Sequence, residues 1–241
     1  MTNLRDRASK TKPAVVKIIS TRPLPSGKAL VSYGSGFLLD SSGLVASNSH
    51  VVLTDDPKDS GVVFHDGVQK NCIQIVYRDA SHDFIILKIE GDDHPSLDLG
   101  NYNDVEEGDD IYFCGYPLRS NNHTIHGGWV SSKLNMNNIN IIQLDASVNS
   151  GNSGGPLLNM EDKVVGIITR KAGGIDEKFL NIGKMVKNAP PTMTVGYTLT
   201  NGRTINFDPI KSIGELVEII HDYTSVGIGY AYSIEYLKDQ I

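Results

Sequence analysis

A chain of 241 residues, 39% of them apolar, is long enough to form one large domain or two small lobes around an ample core. Its 28 acidic against 22 basic side chains give a net charge of −6, which argues against a nucleic-acid surface. No apolar run has membrane-span length and residues 1–12 lack the apolar stretch of a secretory signal, so a soluble, cytoplasmic protein is expected.

Taken in order, the polar Arg5–Lys12 stretch reads as a solvated end, and Ala14–Ser20 reads as the first strand. Val31–Asp40 is a second, with Gly34 and Gly36 suggesting a bend or bulge. Leu44–Leu53 continues after a Ser-Ser-Gly turn, and Asp55 and Asp56 read as turn acids. Short apolar runs follow at 61–64, 72–77, 84–89, 110–114, 126–132, 139–144 and 163–169, punctuated by Asp, Asn, Gly and Pro. Such spacing points to an all-β barrel or sandwich, with the link between two lobes near Gly100–Gly108. Cys72 and Cys114 sit in strand-like surroundings and read as buried thiols, not a bridge. Residues 171–225 break the pattern. Within them Ile213, Leu216, Val217 and Ile220 follow helical spacing from Ser212 to Tyr223, with Ser212 as cap and Glu215 three residues on. Strand-like sequence returns at 226–232, and 233–241 suits a short terminal helix.

The chemistry-bearing stretch is Asp145–Leu157, where Gly151, Gly154 and Gly155 crowd around Ser153. A Gly-rich turn can aim several amides at one point beside the hydroxyl, which suits a nucleophile that must carry an oxyanion. A plain surface turn is the competing reading. A serine nucleophile needs a base and a group that orients the base. His50 after one strand and Asp83 at the start of another are the candidates, with His82 as an exposed neighbour. Read as G-x-S-x-G, the turn also permits an α/β-hydrolase using Ser153, Asp208 and His221. His123 and His126 are two potential ligands on a polar loop, too few for a metal site, so no metal and no cofactor is expected.

Ser-Asn-Ser-His50-Val-Val, Asp83-Phe-Ile-Ile-Leu-Lys-Ile and Asn-Ser-Gly-Asn-Ser153-Gly-Gly-Pro-Leu together resemble the trypsin-like serine peptidases, more narrowly the HtrA/Deg-type branch. Gly34-Ser35-Gly36-Phe37, Gly115-Tyr116-Pro117 and Gly227-Ile228-Gly229-Tyr230-Ala231 strengthen the likeness, without a PDZ-like module after them. The resemblance implies a bacterial protein of chymotrypsin-like fold. Two packed six-stranded antiparallel β-barrels (residues 13–100 and 105–235) would carry a helical insertion at 171–225. It implies Ser153 as nucleophile, His50 as base then acid, Asp83 as orienter, and the amides of Gly151 and Ser153 as oxyanion hole. Ser147 would lie at the base of the specificity pocket beside Val148 and Asn149, a neutral group that disfavours cleavage after Lys or Arg. Gly227, Ile228, Gly229 and Tyr230 would form an edge pairing with an extended protein or peptide substrate. The insertion would cap the cleft or dock an activating partner, and the enzyme would rest latent until then. A catalytically idle peptide-binding module on the same scaffold is the alternative.

Overall fold

A computed structural model describes residues 3–117, 120–136, 138–169, 181–183, 185–186, 188, 190, 194–223, 227–238 and 240–241. The chain divides into two compact units, Met1–Lys171 with Val226–Ile241, and Ala172–Ser225.

The larger unit begins with helix α1 (Leu4–Thr11), capped by the Asn3 carboxamide, which accepts from the Asp6 amide. Strands β1 (Val15–Pro23), β2 (Ala29–Leu38), β3 (Leu44–Ser47), β4 (Ser60–Val63), β5 (Gln69–Asp79) and β6 (Phe84–Ile89) follow. They close into an antiparallel barrel in the order β1-β2-β3-β6-β5-β4. Strands β7 (Asp110–Gly115), β8 (Thr124–Met136), β9 (Ile139–Asp145), β10 (Pro156–Leu158), β11 (Val164–Thr169) and β14 (Ile228–Ser233) close a second, in the order β10-β11-β14-β9-β8-β7. The expected all-β architecture of two six-stranded antiparallel barrels is therefore what the chain adopts.

Each barrel is filled by the inward members of its alternating strands. Val16, Ile18, Leu38, Ile85 and Leu87 fill the first, and Ile111, Phe113, Ile142, Leu144 and Ile168 the second. A third cluster joins Phe37 and Phe84 of the first barrel to Tyr112, Tyr116, Leu158 and Ile167 of the second. This shared core fixes the two barrels against each other. The link between them is pinned by a 3-10 turn at Tyr102–Asp104, whose Asn101 and Asp104 side chains cap each other's backbone. Cys72 and Cys114 are free and buried, and burial pushes each thiol up to about 12.

Several elements differ from the sequence reading. Arg5–Lys12 is not a solvated tail. It forms most of α1, whose Arg7 and Thr11 are buried, with Arg7 paired to Asp162 and Lys10 2.8 Å from the same carboxylate. The β1–β2 register runs unbroken from Val15↔Phe37 to Pro23↔Ala29, so Gly34 and Gly36 make no bulge there. Register shifts fall instead in β5, β8 and β10. Leu44–Leu53 is not one strand: β3 ends at Ser47 and a 3-10 turn takes over at Ser49–Val51.

The second unit holds a hairpin, β12 (Val195–Thr198) with β13 (Thr204–Phe207), and helix α2 (Pro209–Tyr223). Asn201-Gly202 sits in the hairpin loop, with Gly202 at φ 80, and was its legible signal. The helix starts three residues before the expected cap. Asp208 Oδ1 accepts from the amides of Ile210 at 2.9 Å and Lys211 at 3.3 Å, and Pro209 presets the first-turn φ. Ser212 instead donates its hydroxyl back to Asp208 O. On this helix Ile213 and Leu216 are 52% and 54% exposed. The Ile220 part of the face and residues 171–180 lie outside what is described. Helix α3 (Glu235–Lys238) ends the chain's regular structure.

Candidate active site

His50 lies in the 3-10 turn that leaves β3, and Asp83 in the turn that enters β6. Because β3 and β6 are neighbours, paired Ser47↔Ile85, their adjoining turns emerge side by side. Asp83 takes φ 52, a left-handed conformation that a short polar side chain tolerates. Its backbone carbonyl accepts from Ser49 N at 3.2 Å and Asn48 Nδ2 at 2.9 Å. Its carboxylate accepts from His50 N at 3.0 Å through Oδ1 and lies 2.8 Å from His50 Nδ1 through Oδ2. A neutral imidazole donating from Nδ1 leaves Nε2 with a lone pair, as a base requires. The His50 side chain is 45% exposed while that of Asp83 is 21% exposed, so the ring meets solvent and its partner is half-buried.

Two groups the sequence reading missed complete this corner. Thr169 at the end of β11 donates to Asp83 Oδ2 at 3.2 Å, so the second barrel steadies a carboxylate of the first. Arg78 in β5 donates to Ser49 O, Val52 O and Thr54 O at 3.3, 3.1 and 2.9 Å, tying down the carbonyls of the His50 turn. Neither had a local signal, since a Thr at a strand end and an Arg in a strand look ordinary. Asp55, expected as a turn acid, pairs with Arg78 at 3.2 Å, while Asp56 caps the 3-10 turn at Pro57–Asp59. His82 is less exposed than expected. It lies 2.7 Å from Asp79 and stacks on Tyr236 at 4.2 Å. Desolvation pushes the Asp79 carboxyl up, but hydrogen bonds from Ser81 and His82 outweigh it and hold it well below the carboxylate range.

Ser153 sits in the turn joining β9 to β10, 5% exposed. The turn is closed by Asn152 N to Asn149 O and Gly155 N to Asn152 O, both 3.0 Å, and docked on β11 by Gly154 N to Ile168 O at 2.7 Å. Gly154 has φ 86, and a Cβ there would lie 2.2 Å from both Ser35 O and Ser47 Oγ, so only glycine fits. At Gly34 a Cβ would lie 2.5 Å from Val51 and 3.1 Å from Ser153 O, so β2 here runs close to both the His50 turn and the Ser153 turn. Among the described residues the amides of Gly151 and Ser153 donate to no acceptor, and Ser153 Oγ makes no hydrogen bond.

Val148 packs on Gly229, where a Cβ would fall 2.4 Å from Val148 Cγ2, so two of the segments expected to bind substrate are in contact. Ser147 is half-buried beside them. The expected substrate-pairing edge does not hold along its length. Tyr230 pairs with Gln143 on one flank and Thr169 on the other, and Ala231 likewise with Ile142 and Ile168, because β14 is an interior strand of a closed barrel. Ile228 and Gly229 pair with Asp145 and Leu144, and Gly227 precedes the strand with φ 75. The hydrolase alternative fails on the antiparallel sheets, and its Asp208 is the cap of α2. His126 stacks on Phe113 at 4.7 Å and lies 3.1 Å from Thr124 Oγ1. The half-buried His123 meets Tyr116 edge-on, and burial brings its imidazole down to about 4.

Curated relatives include a probable periplasmic serine endoprotease, DegP-like, of Rickettsia conorii, 33% identical over 147 residues. That match covers 58% of this chain and 28% of the relative. The mitochondrial serine protease HTRA2 of Bos taurus is 34% identical over 179 residues, covering 70% of this chain and 38% of that protein. This chain thus spans about a third of the length of such relatives, and their names lend no support to a cytoplasmic location. Among solved structures, an HtrA-type protease AlgW with tripeptide superposes with a TM-score of 0.68 at 23% identity, over 99% of this chain and 62% of that one, a likeness of fold. The family model described as trypsin-like peptidase domain matches residues 34–167, more than half of the sequence and the whole span from Gly34 to the strand after Ser153. The chain belongs to the family of trypsin-like peptidase domains.

Proposed function

We propose that this chain is a serine endopeptidase acting on protein or peptide substrates through an acyl-enzyme. Ser153 Oγ attacks the scissile carbonyl carbon while His50 Nε2 takes its proton. The tetrahedral oxyanion accepts from the amides of Gly151 and Ser153. Collapse breaks the C–N bond, the leaving amine takes the proton from His50, and water repeats the sequence on the ester. Asp83 holds the Nδ1–H tautomer and stabilises the imidazolium. The observation that carries this reading is the 2.8 Å His50–Asp83 pair, linked through β2 to a glycine turn whose Gly151 and Ser153 amides find no acceptor among the described residues.

That Ser153 Oγ makes no hydrogen bond among the described residues supports a resting enzyme whose catalytic hydrogen bond tightens on substrate or activator binding. Val148 over Gly229, with the neutral Ser147 alongside, supports preference for small or medium apolar side chains and against Lys or Arg. The exposed Ile213, Leu216 and Phe207 of the insertion support a role in docking an activating partner. A fluorophosphonate probe tests the central claim. It is expected to label the wild-type chain and to leave Ser153→Ala unlabelled, with peptide cleavage lost in parallel. A wild-type chain left unlabelled, even in cell lysate, would favour the idle peptide-binding module.

A further inference from the structure

We infer that Ser35 is a positioning residue that keeps the oxyanion-binding turn in its working shape, an inference that rests on the peptidase reading above. Ser35 lies in β2 of the first barrel, 116 residues from Gly151, and is fully buried. Its amide donates to Ser153 O at 2.8 Å, and its hydroxyl donates to Gly151 O at 2.7 Å. The hydroxyl oxygen accepts from Tyr116 N at 2.9 Å. Its single proton is therefore committed to Gly151. The Ser35 carbonyl accepts from Ser47 Oγ at 2.7 Å, which anchors the residue to its own barrel.

The two carbonyls held by Ser35 flank the nucleophile. Fixing Gly151 O sets the plane of the 151–152 peptide, and fixing Ser153 O sets that of the 153–154 peptide. The 152–153 peptide, which carries the Ser153 amide, is thus pinned from both sides. The Gly151 amide belongs to the preceding peptide and is related to the first of these planes by φ and ψ of Gly151 alone. Gly151 has φ 97, in a region glycine enters without penalty, so this residue resists little if the 151–152 peptide turns. Without the Ser35 hydroxyl, Gly151 O would be buried without a partner. The 151–152 peptide would then rely on Asn152 N to Asn149 O at 3.0 Å, and for part of the time it would turn, carrying the amides from the point where charge develops. The Gly-Ser-Gly run at 34–36 thereby gains a chemical role: Gly34 allows the close approach and Ser35 makes the contacts.

The test compares Ser35→Ala, Ser35→Cys and Ser60→Ala with the wild-type chain, following fluorophosphonate labelling rate, peptide kcat and KM, and thermal melting. Losing an oxyanion donor outright costs about 10²–10³-fold in kcat, and misorienting it part of the time should cost less. Ser35→Ala is expected to lower kcat and labelling rate roughly tenfold to a hundredfold with KM within about twofold. Ser35→Cys, close in size but a weaker donor, should fall between, and it carries the test should the alanine variant not fold. Ser60→Ala removes a buried hydroxyl bonded to Ser20 Oγ at 2.9 Å in the same barrel, so it should lower the melting temperature and leave kcat alone. Ser35 variants with wild-type kcat and labelling rate would overturn the inference alone. So would a kcat loss that Ser60→Ala reproduces. A wild-type chain that the probe never labels would overturn the peptidase reading and this inference together.

Discussion

The Asp83 carboxylate accepts from a backbone amide, an imidazole and a hydroxyl at once. Asp83→Asn should leave the fold intact and lower kcat about 10⁴-fold, by presenting the wrong tautomer of His50, as read from steady-state peptide cleavage. Thr169→Val removes one neutral donor to that carboxylate, and a loss of about tenfold in kcat is expected. His123 gives a pH prediction. Its folded value of about 4 lies below its ordinary 6.5, chiefly through burial, with Lys12, His65 and His126 adding repulsion. The folded state thus favours the neutral ring, so the stability it contributes is whole above pH 6.5 and drains away as pH falls toward 4. Urea melts should show a loss of about 2 kcal/mol between pH 7 and pH 5, and His123→Phe should flatten that slope.

Among the elements, α1 is the one the sequence reading misjudged most. Its composition is polar, and nothing local announces that Arg7 packs against Tyr112 and pairs with a carboxylate in the turn before β11. Burial alone would push the Asp162 carboxyl up, yet hydrogen bonds from Lys10, Tyr112 and Arg7 bring it below the ordinary range. The side chains of Arg7 and Asp162 are 8% and 12% exposed, so removing one leaves the other charge nearly unsolvated. Asp162→Asn is expected to cost about 3 kcal/mol in a denaturant melt at pH 7. Because the carboxyl is depressed in the folded state, the difference from wild type should shrink as pH falls below about 4. Helix α2 was legible in its spacing but not in its start, since two plausible caps, Asp208 and Ser212, stand four residues apart. The local signal that chooses between them is Pro209, whose preset φ suits the first helical position after Asp208.

For the whole molecule, the division into two units carries a prediction of its own. The two barrels share a core and the 172–225 unit has its own hairpin and helix. Excising residues 174–222 behind a short Gly/Ser link should leave the barrels' cooperative melt within a few degrees of wild type. Peptide preference or partner binding should change on the same excision. Unchanged preference together with unchanged binding would end the proposed role of the insertion.

Much of this protein was settled by its sequence alone. The glycine-crowded Ser153 turn, the order of β-branched runs and the burial of both cysteines follow from local chemistry, because period and turn residues act over a few positions. Tertiary structure decided the rest. Ser35 to Gly151, Thr169 to Asp83 and Arg7 to Asp162 span 116, 86 and 155 residues, and no local preference encodes such distances. The same holds for β14, whose Gly-Ile-Gly-Tyr reads as a free edge until barrel closure sets a neighbour on each side of Tyr230. A strand's sequence states which face is apolar, but only closure of the sheet determines which edges remain.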